Sequence, residues 1–333
     1  MAIIRDVMQP FQLFQPATTE DALELLSRYG SGAWVLAGGL DSLEWFKDRI
    51  KRPKVVVDLS QIKELRGVRE VDGGLEIGAM TTLTEVVSHP VVKEKFNILT
   101  HAAESAASPQ IRNQGTIGGN VSQDARCWYY RNGWPCYRAG GNTCYADTPT
   151  GQNREHAIFD ADRCVAVNPS DTAPALIALD ARMSIRNAHG TREVKAEDYF
   201  IGPGYDITRM NVLDPGDLLT AIRIPVAWAG ARFYFEKVRD RNVWDFPLVN
   251  IASATIVSGD RIERMRLALN AVAAHPVRLA RVEDAVRGKP QNDETAEMVG
   301  RLATSGAQPL QHNAYKVTLV RNLVKRAVRG REE

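Results

Sequence analysis

The chain has 333 residues, 44% of them apolar and 25% charged, with a formal charge of +2. That length predicts two or three domains, each with a substantial core, and so small a charge argues against nucleic acid or an anionic membrane surface as a partner. The opening MAIIRDVMQPFQLFQPAT has no apolar core behind a basic region, and no apolar run reaches the roughly 18 residues of a membrane-spanning helix. The expected compartment is the reducing cytoplasm, where disulfides are uncommon. The periplasm becomes an alternative only if a partner carrying a signal exports the chain.

In chain order, Thr19-Glu20-Asp21 opens an amphipathic helix with Ala22, Leu25 and Leu26 at helical spacing. A short apolar strand over 33–36 runs into Ala37-Gly38-Gly39-Leu40-Asp41-Ser42. A helix is expected from Leu43 and a buried strand over 55–59, giving a βαβ-like unit with a glycine turn after its first strand. Beyond Leu65 the pattern is α+β, with a strand over 75–79 and helices over 82–87 and 98–107. A long stretch with little periodicity follows; such a stretch is uncommon in a compact domain unless it is functional or externally restrained. A helix over 173–179 and a strand over 183–186 come next. Punctuation at 225–230 marks a boundary. Strands over 232–238, 248–257 and 261–271 and helices over 279–286 and 293–303 follow it. The basic terminal helix, with Lys316, Arg321, Lys325, Arg326 and Arg329, reads as a solvated face.

Two glycine-bearing segments suit phosphate. In 37–42, successive glycines allow positive φ and close approach of backbone N–H groups, ahead of a helix N-terminus. Ser42 can offer a hydroxyl and Asp41 a helix cap. The segment fits neither the dinucleotide fingerprint nor the P-loop, and a plain tight turn is the competing reading. The second segment, Ser108 to Asn120, combines three glycines with hydrogen-bonding side chains and can meet a diphosphate or the polar edge of a flavin. Two such segments favour a dinucleotide-type ligand.

All four cysteines fall between Cys127 and Cys164, with Cys136 and Cys144 between them. Four thiolates can hold zinc, hold a [4Fe-4S] cluster or form two disulfides. The spacing lacks the close C-x2–4-C pairs usual at structural zinc sites.

With these segments the chain resembles the FAD-binding medium subunits of the molybdenum hydroxylase (xanthine oxidase) family. Ala37 to Asp41 is similar to that family's A-G-G-T-D loop, with Leu40 in place of threonine. Arg112 to Asn120 is similar to R-N-x-G-T-x-G-G-N. Asn168 to Leu176 is similar to H-P-S-D-x-A-P-A-L, with Asn168 in place of histidine. Phe235 to Asp245, 269–278 and 313–317 match further stretches. The cysteine pattern most resembles the aldehyde oxidoreductase type within the cluster-bearing branch.

The resemblance implies an α+β fold. A two-part FAD-binding domain of the vanillyl-alcohol-oxidase/PCMH kind would span 1–226, with a small βαβ-like lobe over about 1–60 and a larger α+β lobe over 61–226. A smaller α+β C-terminal domain would span 227–333. FAD would contact Leu36, Ala37, Gly38, Gly39, Leu40, Asp41, Ser42, Ser108, Ile111, Arg112, Asn113, Gly115, Thr116, Gly118, Gly119, Asn120, Asp124, Val167, Asp171 and Lys237. Cys127, Cys136, Cys144 and Cys164 would bind a [4Fe-4S] cluster in a loop over 121–165.

The implied role is an oxidoreductase subunit without substrate-converting residues of its own. Electrons from a large molybdenum-cofactor subunit would pass through a small [2Fe-2S] subunit to FAD here and on to an external acceptor. The assembly would be a heterotrimer or a dimer of heterotrimers. A non-catalytic iron–sulfur scaffold and a stand-alone flavin oxidase are the alternatives. The six histidines read as isolated and structural.

Overall fold

A computed structural model describes residues 8–330. The first seven residues of the expected N-terminal lobe and the last three of the expected C-terminal domain lie outside them. Three sheets organise the chain, and the fold is mixed α and β throughout.

Strands Gln12–Phe14 and Ala33–Leu36 both pair in parallel with Val55–Asp58, which lies between them. Its valines are all buried but face opposite ways. Val55 and Val57 pack with Ala22 and Leu26 of helix Thr19–Tyr29, whereas Val56 packs with Trp45 and Phe46 of helix Leu40–Lys47. A parallel strand covered on both faces needs such a continuous β-branched run. The second helix begins at Leu40, three residues before the expected position, because Gly39 supplies the left-handed turn ahead of it at φ +79°.

The second sheet is antiparallel, in the order Val68–Val71, Gly74–Gly78, Leu218–Pro225, Arg182–Asn187, Gly190–Lys195. Leu75 and Ile77 enter the largest core, while Glu76 between them meets Arg69 and Arg223 at the surface. That core also takes in helix Asn97–Glu104 and the all-apolar helix Ala173–Ala178. Strands Gln12–Phe14, Val68–Val71 and Gly190–Lys195 and helix Pro90–Lys95 were not anticipated.

The third sheet runs Val277–Arg278, Arg261–Asn270, Val249–Ser258, Arg232–Val238. Alternation gives it two unlike faces. Ala252, Ala254 and Ala268 belong to the large core, whereas Ile251, Leu267 and Leu269 pack with Val299, Val320 and Leu323 of the C-terminal helices. The small-residue face lets helices of the preceding region approach closely.

Two expectations change here. The glycine-rich stretch 108–120 is not a loop but two short helices, Pro109–Gln114 and Ile117–Ser122, capped by the side chains of Ser108 and Thr116. The terminal helix Tyr315–Arg329 is not a simple solvated face. Lys316 is fully buried and donates to the carbonyls of Glu155 and Ala271 at 2.9 and 2.8 Å. Arg321, Lys325, Arg326 and Arg329 pair with carboxylates of other elements.

Burial lowers the Lys316 ammonium from its usual range to about 7. The unfolded chain therefore binds that proton more tightly, and stability must rise with pH from about 7 towards the ordinary lysine value near 10. Thermal unfolding of wild type and Lys316→Met across pH 7–9 should show the wild-type advantage growing by about 1 kcal/mol per pH unit. A difference independent of pH would refute the buried-lysine account.

Candidate functional site

The turn after strand Ala33–Leu36 and the end of helix Pro109–Gln114 meet backbone to backbone. A Cβ on Gly38 would stand 2.3 Å from the carbonyl oxygen of Gln114, so only glycine permits this approach. The two segments form opposite walls of a cleft of about 230 Å³. First-turn N–H groups of helix Leu40–Lys47 have no intrahelical acceptor and suit an anion. Leu40, Leu83, Ile111, Ala106 and Ala107 supply an apolar surface.

A third wall comes from the connection between strands Arg232–Val238 and Val249–Ser258. Trp244, Asp245 and Phe246 line the cleft, and Trp244 N donates to Ala107 O at 2.9 Å. Trp244 and Ala107 both hold positive φ, at 75° and 44°. The Arg126 guanidinium sits 4.4 Å from the centre of the Phe246 ring.

Polar side chains on the walls are fixed from behind. Asn120 Oδ1 accepts from the hydroxyls of Ser170 and Thr172, each at 2.7 Å. Asp171 Oδ2 accepts from Lys237 Nζ at 2.9 Å, while Asp171 Oδ1 is buried with no protein partner. Burial raises the Asp171 carboxyl to about 6 against the opposing pull of Lys237, and burial lowers the Lys237 ammonium. Neither helix cap nor free hydroxyl describes Asp41 and Ser42. Asp41 accepts from Trp45 Nε1, Arg131 and the backbone of Asp124, and Ser42 Oγ accepts from Trp34 Nε1 at 2.9 Å.

Ala37, Gly38, Gly39, Leu40, Asp41, Ser42, Ile111, Gly115, Thr116, Gly119, Asn120, Asp124 and Asp171 all line this cleft. The other expected contacts lie off its lining for local reasons. Leu36 packs against the core around Trp45 and Phe46, and Ser108 caps a helix. Arg112 donates to Ala106 O, and Asn113 accepts from the Thr84 hydroxyl. Gly118 is pressed on Ala79, and Lys237 stands behind Asp171. At Val167 the chain runs beside the C-terminal region, Asn168 N donating to Ala273 O. Asn168 itself joins a buried network with Ser170 and Asn270. Sequence reasoning missed Trp34, Leu83, Arg126, Trp244 and Phe246; a tryptophan and a phenylalanine flanking Asp245 in a strand connection were the available signal.

Immediately beyond Arg126 the chain enters a second cavity. Cys127, Cys136, Cys144 and Cys164 all line it, with Tyr129, Tyr130, Tyr137, Arg138 and Tyr145. None is disulfide-bonded. Burial pushes the Cys127 thiol up to about 11 and raises that of Cys164. Ring contacts among Tyr129, Trp134 and Tyr145 brace one side. A Cβ on Gly141 would stand 1.8 Å from Pro135 O, so the turn after Cys136 requires glycine. His156 is not isolated as expected: its Nε2 lies 3.3 Å from Cys127 Sγ. Burial, then Lys316, lowers this imidazole to about 4, so it is neutral at ordinary pH. Among the described residues no group of three or more His, Cys, Asp or Glu is arranged around a single metal ion.

Such a cleft, with a glycine-cradled anion site, an apolar slot and a buried unpaired carboxylate oxygen, fits a flavin dinucleotide and defines a flavin-dependent oxidoreductase subunit. The comparisons specify it further. Residues 9–227 match the family described as the FAD binding domain in molybdopterin dehydrogenase, and residues 233–330 match the CO dehydrogenase flavoprotein C-terminal domain. The chain is 32% identical over 295 residues, 87% of its length and 88% of the relative's, to the aldehyde oxidoreductase FAD-binding subunit PaoB of Escherichia coli (strain K12). It is 28% identical to the carbon monoxide dehydrogenase medium chain of Hydrogenophaga pseudoflava, covering 96% of each. A solved carbon monoxide dehydrogenase from that organism, lacking the Mo-pyranopterin moiety of its molybdenum cofactor, matches with TM-score 0.77 at 27% identity, covering 97% of this chain and 98% of that one. The chain belongs to the FAD-binding subunits of the molybdenum hydroxylase family.

Gly38→Ala should therefore force the two cleft walls apart. Flavin affinity should fall at least about tenfold, about 1.4 kcal/mol, measured as FAD retained through gel filtration. Gly32→Ala, where a Cβ meets nothing within 4 Å, should retain flavin. Equal retention in both variants would show that the close approach does not shape the site.

Proposed function

We propose that this chain is the electron-transfer subunit of a heteromeric molybdenum-dependent hydroxylase of the aldehyde oxidoreductase kind. It would carry FAD in the cleft and a [4Fe-4S] cluster on Cys127, Cys136, Cys144 and Cys164. The observation that carries this reading is the convergence of all four cysteines on one cavity, one residue beyond Arg126 on the cleft wall.

A tetrahedral zinc holds its thiolates about 3.8 Å apart, from Zn–S bonds of about 2.3 Å. A cluster binds each thiolate through a different iron, so its ligands stand further apart and need not meet around one point. The described residues hold no group of three or more His, Cys, Asp or Glu arranged around one ion, and a cluster does not ask for one. Burial favours the protonated thiols of Cys127 and Cys164, so ligation would release those protons as the cluster binds.

Bound FAD supplies the exchange between one-electron and two-electron transfer. The chain's own residues position and insulate it. The turn at 37–42 offers N–H groups to phosphate, and Asn120, locked by Ser170 and Thr172, presents its amide at a set orientation. Trp244 and Phe246 add aromatic surface to the cleft wall. The buried Lys237 ammonium behind Asp171 favours negative charge nearby, as an anionic reduced flavin would bring. Substrate oxidation falls to a large molybdenum-cofactor subunit and delivery to a small [2Fe-2S] subunit, as the medium-chain names of the relatives suggest. The cytoplasm is the proposed compartment unless an exported partner carries the chain out. No helix among the described residues is long and apolar enough to cross a membrane.

Cys136→Ser, in the most buried of the four ligand positions, should lose most bound iron and the broad visible absorption of the cluster while flavin bands persist. Unchanged iron content and spectrum would defeat the cluster assignment.

A further inference from the structure

Arg138 links the two sites. Its side chain is only 3% exposed, it lines the cysteine cavity, and its Nη2 donates at 2.5 Å to Asp124 Oδ1, on the wall of the flavin cleft. Nη1 donates to Ile207 O at 2.8 Å. Nε is buried with no partner in the chain. An unsatisfied buried donor on a cation costs about 1–3 kcal/mol or more, so one in the wall of a four-thiol cavity asks for an acceptor. Sulfur carrying negative charge is the acceptor that this cavity's chemistry provides. Elsewhere on the cavity's edge His156 Nε2 lies 3.3 Å from Cys127 Sγ, but His156 touches nothing on the cleft wall.

Resting on the proposed cluster, we propose that Arg138 is a tuning residue shared by two redox sites. Its guanidinium offsets charge at the iron–sulfur site, and its pairing with Asp124 ties that charge to the flavin cleft. Asp124 is also 3.6 Å from Lys51, so the carboxylate sits between two cations and reports on both. A buried guanidinium shared in this way makes the two potentials move together, because removing either partner leaves the other's charge uncompensated in a low-dielectric region.

The test is a potentiometric titration of both centres, by visible and electron paramagnetic resonance spectroscopy, in full-length chain purified anaerobically with any co-purifying subunits. Iron and flavin are counted first. Arg138→Met should lower both potentials, the cluster's by at least a tenfold change in its reduced-to-oxidised ratio, 59 mV for one electron. Asp124→Asn, which keeps the shape and removes the negative charge, should raise both. His156→Gln should lower the cluster alone. If Arg138→Met sheds its iron, the opposite sign of Asp124→Asn at both centres decides. Iron present in wild type with the flavin potential unmoved in Asp124→Asn overturns the coupling. Flavin without iron in wild type overturns the parent reading, and this inference with it.

Discussion

A seam of guanidinium–carboxylate contacts holds the irregular middle of this protein in place. Asp41, in the first turn of helix Leu40–Lys47, takes Arg131 at 2.5 Å and Arg126 at 3.1 Å, and Asp124 takes Arg138. The Arg131 guanidinium also lies over the Trp45 ring, 3.5 Å from its centre. Partly buried pairs of this kind add little net stability, yet losing one partner costs about 3–5 kcal/mol. Their value lies in register. The segment after Ser122 has little regular structure to fix it, and the seam decides where Cys127 falls relative to the cleft.

The rest of the architecture brings three unlike pieces to that seam. A parallel unit with helices on both faces presents the glycine turn, and an antiparallel sheet with its helices presents the facing wall. The third sheet turns an alanine face to the large core and sends the connection bearing Trp244 and Phe246 to the cleft wall. Because Ala252, Ala254 and Ala268 belong to the large core, the C-terminal sheet is packed against the flavin region as one body of side chains. The cleft's shape thus follows from side-chain size at a few positions, Gly38 foremost.

Much of this was legible in the chain. The valines at 55–57, the glycines at 38 and 39 and the strands at 232–238 and 261–270 announce themselves by local pattern, and local pattern is what a sequence exposes. Long-range partners are not exposed. Arg112 and Asn113 carry hydrogen-bonding capacity that suits a ligand, but helix Pro109–Gln114 spends it on Ala106 and Thr84. Lys316 looks like one more cation on a basic helix, and only the carbonyls of Glu155 and Ala271, 161 and 45 residues away, reveal it as buried. His156 looks solitary because Cys127 is 29 residues distant in sequence. Trp244 was hidden for the same reason, its partner Ala107 belonging to another sheet's neighbourhood.

The proposed function puts two redox groups in adjoining sites on one chain, with iron on four cysteines, none of which is disulfide-bonded. Anomalous diffraction at the iron edge, from crystals of anaerobically purified protein, tests it most directly. One compact iron peak ringed by Cys127, Cys136, Cys144 and Cys164, beside flavin density in the neighbouring cleft, is the predicted result. A peak only at the zinc edge, or cysteines without any metal signal beside a flavin-filled cleft, would contradict it.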